Sequence, residues 1–171
     1  MASSLFARHG RHIALALMVA IVGWPVLAWL HPVPWTQNVV ERLALPDGPA
    51  LPAALEHVLM VAGLLPLAVA AYGFYEAARF FGRVERGRAF SLDAVEALRR
   101  FGLALLAAAV LIPLLRLAVV LGEGTADPMA VLAAVLRLGP IVLAGIAGVV
   151  LAFSAILREA VTLAEENASF V

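Results

Sequence analysis

Four long apolar runs, roughly Ile13–Leu30, Val58–Tyr75, Phe101–Gly122 and Leu138–Leu157, leave this chain few ways to fold. At about 1.5 Å of rise per residue, each can cross a hydrocarbon core of about 30 Å as an α-helix. Inside a bilayer the backbone must satisfy its own hydrogen bonds, which a helix does and an open strand does not. The 171 residues are 64% hydrophobic and the mean hydropathy is +1.00, an excess that needs lipid as its solvent. The expected fold is therefore all-α: a polytopic membrane protein with four transmembrane helices in a bundle. We place the helices at about 13–30, 55–84, 92–122 and 138–165 of a single domain, 1–171.

The loops orient the helices. All twelve basic residues are arginine. Arg8 and Arg11 precede the first run, Arg79, Arg83, Arg86, Arg88, Arg99 and Arg100 lie between the second and third, and Arg158 follows the fourth. Only Arg42 and Arg137 fall on the other side. By the positive-inside rule this asymmetry places both termini in the cytoplasm. Trp29 and Trp35 then lie at the outer interface, where tryptophan is enriched. The first apolar run, about 18 residues, exceeds the 7–15 of a signal-peptide core, so it reads as an uncleaved first helix.

Local signals refine the boundaries. Ser91 and Asp93, just after Gly87, mark a helix start near Leu92, with Phe90 and Val95 at the hydrophobic-staple positions. The second helix is expected to continue through Glu76–Val84, so the two form a helical hairpin extending into the cytoplasm. Asp127 before Pro128 is an N-cap followed by proline at the first helical position. It opens a short interfacial helix over 128–137, against the rival of one bent helix across Pro140. The proline-rich segment His31–Leu55 offers Thr36 as the cap of another short helix.

The chemistry available is sparse. Zero formal net charge excludes a strongly basic protein that binds nucleic acid directly. The absence of cysteine removes disulfides, thiolate metal sites and thiol nucleophiles. None of His9, His12, His31 and His57 lies deep in an apolar run, so no intramembrane haem ligands are expected, and no metal or other cofactor. Ser154 has no histidine or aspartate in the membrane to activate it and is expected to bond its own helix backbone or a neighbouring helix. No catalytic residue is assigned, and the chain reads as a non-enzyme.

Three groups of residues remain as candidates. Arg116, about six residues from the outer end of the third helix, either pairs with Glu56 as an intramembrane polar pair or snorkels to the headgroups. Ala144, Gly148 and Ala152 repeat every four residues on the last helix and suit close helix packing, within the bundle or in a homo-oligomer. The third group is a partner or lipid surface of Arg83, Arg86, Arg88, Arg99 and Arg100 in the loop, with Glu165 and Glu166 in the tail.

Two stretches carry a family resemblance. One runs from Gly82 through Gly87-Arg88-Ala89-Phe90-Ser91-Leu92 to Leu98-Arg99-Arg100-Phe101-Gly102. The other is Phe153-Ser154-Ala155-Ile156-Leu157-Arg158-Glu159-Ala160, then Leu163, Glu165-Glu166-Asn167 and Val171. With four helices at these spacings they resemble the bacterial membrane family called domain of unknown function 2975. Its cytoplasmic loop reads like G-x-x-F-[ST]…LR-x-x-G, and its last helix ends like FR-x-G-x-x-L-x-x-E-x-[ED]-x-TV. The chain departs from that pattern at Glu159-Ala160 and at Ser169-Phe170. The resemblance implies a four-helix inner-membrane protein with no assigned activity. Relatives encoded beside small helix-turn-helix regulators further imply a cytoplasmic regulatory protein as partner.

The expectation is a non-enzymatic interaction or regulatory protein that contacts a cytoplasmic partner through loop 82–100 and tail 158–171. The alternatives are a small transporter or permeation component, which needs a polar or broken-helix cavity at mid-membrane, and an accessory subunit of a larger membrane complex.

Overall fold

The computed structural model describes residues 2–30, 53–122 and 128–168, and among them there is no strand. The helices are α1 (Ala2–Leu30), α2 (Ala53–Glu85), α3 (Leu92–Gly122), the short α4 (Pro128–Val135) and α5 (Leu138–Ala168). The short helix expected after Thr36, the Asp127 cap and the last residues of the tail lie outside the described residues.

Four of the five, all but α4, are long and apolar enough to cross a membrane. Pro25, Pro66 and Pro113 lie inside α1, α2 and α3. Membrane helices accommodate such prolines because neighbouring groups re-satisfy the freed carbonyls. α4 and α5 are separate helices, with the Leu136 N–H closing the last turn of α4 onto the Leu132 carbonyl at 2.8 Å.

The long helices pack in chain order: α1 on α2, α2 on α3 and α3 on α5, with α4 against α3. α2 and α3 are the most buried and α1 and α5 the least. The contacts are made of small residues, which is how helices approach in lipid, where burying more apolar surface gains little. Ala77, Ala78, Ala94, Ala97, Ala104, Ala108, Ala109 and Ala147 are all buried. A Cβ on Gly73 of α2 would lie 3.0 Å from the Ala104 Cβ of α3. Phe74 and Phe101 meet at the same crossing, tilted 52° to one another with ring centroids 5.8 Å apart.

α1 begins eleven residues before the Ile13 expected from hydropathy. The added turns are polar, and their cause is tertiary. Ala7 is fully buried, and Gly10 faces the Phe81 ring so closely that a Cβ would lie 2.8 Å from it. Arg8 Nε donates to Glu85 Oε1 at 3.3 Å and Arg11 Nη1 to Glu85 Oε2 at 3.2 Å. The start of α1 is thus clasped to the end of α2.

Candidate functional site

The termini of the long helices bring most of the arginines to one end of the molecule: the start of α1, the α2–α3 turn and the end of α5. The turn is built from its sequence. Gly87 has a φ of 75°, the left-handed conformation that glycine adopts without a Cβ clash. Its N–H donates to the Val84 carbonyl at 3.0 Å and the Arg88 N–H to the Arg83 carbonyl at 2.9 Å, a Schellman ending that satisfies the last carbonyls of α2. Ser91 Oγ then accepts from the Ala94 N–H at 3.3 Å, capping α3 as its sequence predicts. The staple does not close: Val95 is buried, while Phe90 is 75% exposed at the tip of the turn.

Between α1 and α2 at this end lies a cleft of about 740 Å³ lined by Arg11, Leu15, Tyr75, Ala78, Arg79, Gly82, Arg83, Glu85 and Arg86. Arg79, Arg83 and Arg86 fall at i, i+4 and i+7, on one face of α2. Gly82 leaves a gap among them, with Arg11 Cδ at 3.8 Å and Arg86 Nη2 at 4.0 Å as the nearest atoms to a Cβ built there. The acidic groups nearby are already engaged. Glu85 holds Arg8 and Arg11. Glu76 holds Arg79, whose Nη1 donates to both carboxylate oxygens at 2.8 and 3.1 Å. Arg83 Nη1 is shut from solvent with no hydrogen-bond partner, and Arg86 makes no ion pair among the described residues.

Glu76 is the residue that pattern reading missed. It is only 1% exposed, the largest fully buried side chain among the described residues. Its neighbours Gly73, Ala77 and Ala78 are the available signal, since small residues within one turn mark the face that meets another helix. Arg79 also lies over the Tyr75 ring, 5.9 Å from its centroid.

The arginines expected to form one surface divide. Arg83 and Arg86 join Arg11 and Arg79 in the cleft. Arg99 and Arg100 instead share Glu96 on α3, at 3.5 and 3.1 Å. Arg88 stands exposed in the turn. The tail is a helical continuation of α5, with Val161 buried and Glu159, Leu163, Glu165 and Glu166 exposed.

At the opposite end, Arg116 is half-buried, with Nε and Nη1 shut from solvent and no hydrogen-bond partner among the described residues. The Glu56 side chain proposed to pair with it, and Glu123, lie outside the described residues. On α5, Ala144 is half-buried, while Gly148 and Ala152 are exposed and nothing lies within 4 Å of a Cβ at Gly148. The internal close approach is made by another face, where a Cβ on Gly102 of α3 would lie 2.9 Å from the Leu151 side chain. Ser154 is buried on that face and donates to the Leu151 carbonyl at 2.7 Å, within its own helix.

A family profile described as "Protein of unknown function (DUF2975)" matches residues 20–171. The chain belongs to this family. No curated protein and no solved structure matches the chain.

Proposed function

We propose that this member of the family is a multi-pass protein of the bacterial inner membrane, with both termini in the cytoplasm, that docks a cytoplasmic regulatory protein and performs no chemistry itself. The observation that carries the reading is the α2–α3 turn. Phe90 is 75% exposed, flanked by the exposed Arg86 and Arg88, on a backbone fixed by the Gly87 turn and the Ser91 cap. The turn stands about 18 Å along the helix axis beyond Tyr75, at twelve residues of 1.5 Å each. Aromatic residues and arginine are enriched at protein–protein interfaces. The exposed acidic face of the α5 tail, with Leu163, extends the surface over 158–168. Away from this end the described helix contacts are apolar and mostly between small residues, Arg116 apart, which favours docking over transport.

The orientation has a direct check, because the chain contains no cysteine. Single cysteines replacing Ala2, Ala89 or Ala168 should resist an impermeant thiol reagent in intact cells, and those replacing Ala50 or Ala126 should react. Labelling at position 89 from outside would reverse the arginine-based orientation.

The docking reading is tested by co-purification in mild detergent from native membranes. The double variant R88E/F90S changes only exposed side chains and should lose a protein retained by the wild type, at unchanged yield. Truncation after Ala164, which keeps the buried Val161, should weaken the same association. If both variants retain the wild-type set of partners, the turn and tail are not the docking surface.

A further inference from the structure

We propose that the cleft between α1 and α2 binds the phosphate headgroup of an anionic membrane phospholipid. The inference does not depend on the docking reading, with whose surface the cleft shares only Arg86. Its first support is charge. Glu85 is taken by Arg8 and Arg11, and Glu76 by Arg79, so among the described residues Arg83 and Arg86 line the cleft without a counter-ion. Arg86 is exposed and Arg83 half-buried, and arginine's planar fork suits phosphate in particular.

The second support is the order of groups along the cleft. From Tyr75 to Arg86 the α2 wall runs about 16 Å. Its deeper part is Tyr75 and Ala78, faced by Leu15 of α1. Its upper part is Arg79, Arg83 and Arg86, faced by Arg11. A phospholipid presents the same sequence of chemistry from acyl chain through glycerol to phosphate. Free phosphate would use only the upper part. Gly82 leaves bare backbone between the arginines, and the volume of about 740 Å³ accommodates a headgroup with its glycerol. The site lies at the helix ends where basic pockets meet anionic headgroups.

The test uses the full chain purified in a nonionic detergent, with unfolding followed by tryptophan fluorescence. Dioctanoyl phosphatidylglycerol should raise the unfolding temperature saturably. Dioctanoyl phosphatidylcholine and sodium phosphate at the same concentrations should not. R83Q/R86Q should weaken the apparent affinity for phosphatidylglycerol by about tenfold or more. R88Q/R99Q, which removes the same charge outside the cleft, should leave it unchanged. G82L retains every arginine and adds a side chain where the nearest atoms are at ordinary contact distance, so it should fold and lose the response. An equal response to sodium phosphate would assign the site to free phosphate. Equal weakening in R88Q/R99Q would assign the effect to diffuse attraction. A full response in G82L, or no response in the wild type, would overturn the site.

Discussion

Leucine in place of Arg79 should destabilise the protein by on the order of 3 kcal/mol, because it strands a buried carboxylate. Glu76 lies between helices at 1% exposure, and Arg79 Nη1 reaches both its oxygens at 2.8 and 3.1 Å. Without Arg79 the glutamate must draw in water or push the helices apart. The reverse truncation is milder. In Glu76→Gln the amide oxygen still accepts from Arg79, whose side chain is 38% exposed and so partly solvated, and the loss should be about 1 kcal/mol. Replacing both residues with leucine removes the charge and its counter-charge together and should recover most of the loss. Denaturant unfolding in micelles of Arg79→Leu, Glu76→Leu and the double leucine variant gives the cycle, with Glu76→Gln measured beside them. The pairing is wrong if Arg79→Leu costs no more than Glu76→Gln.

The same residue shows what could be read in the chain and what could not. The bounds of α3 follow from local chemistry: a serine cap, an aspartate in the first turn and a glycine at the end. The short α4 and its separation from α5 follow from Pro128 and the Gly139-Pro140 step. The first eleven residues of α1 had no such signal. They are helical through Phe81 and Glu85, more than seventy positions away, and no window along the sequence contains that cause. The gathering of arginines at one end was legible from loop counts, and Arg79, Arg83 and Arg86 share a face by spacing alone. That Arg11 completes the cleft depends on the early start of α1. Phe90 fitted the staple by position, yet its ring is exposed, because the pattern records spacing and not which side of the turn the chain leaves on. On α5 the difficulty is the solvent itself. Lipid is as apolar as a packed interior, so hydropathy does not separate the face that meets α3 from the face that meets acyl chains. The four-residue repeat of Ala144, Gly148 and Ala152 was visible, but Ala147, Leu151, Ser154 and Val161 line the inner face.

That distinction yields the second large effect, at Gly102. A Cβ built there would lie 2.9 Å from Leu151 Cγ and Cδ2 and 3.2 Å from Val150 Cγ1. Alanine at this position asks Leu151 to change rotamer and should cost under about 1 kcal/mol. Leucine is different, because its branch would occupy the space through which α3 and α5 touch. Overpacking of this kind costs about 1–3 kcal/mol in a soluble core. The upper part of that range is expected here, since close backbone approach is the main force joining helices in lipid. Gly148→Leu is the matched control: the same change on the same pair of apolar helices, placed where nothing lies within 4 Å, and it should be nearly silent. The readout is Ala147→Cys, fully buried in the wild-type packing and the only thiol in the chain. Its reaction with a membrane-permeant maleimide should be slow alone or with Gly148→Leu, and faster by about thirtyfold or more when Gly102→Leu loosens α5, as expected for a loss of about 2 kcal/mol or more in the closed state. If Ala147→Cys stays unreactive with Gly102→Leu, α5 is held by something other than the α3 contact. If Gly148→Leu exposes it as much as Gly102→Leu does, the small-residue face of α5 is itself a packing surface, and the open side of the helix is covered in the membrane.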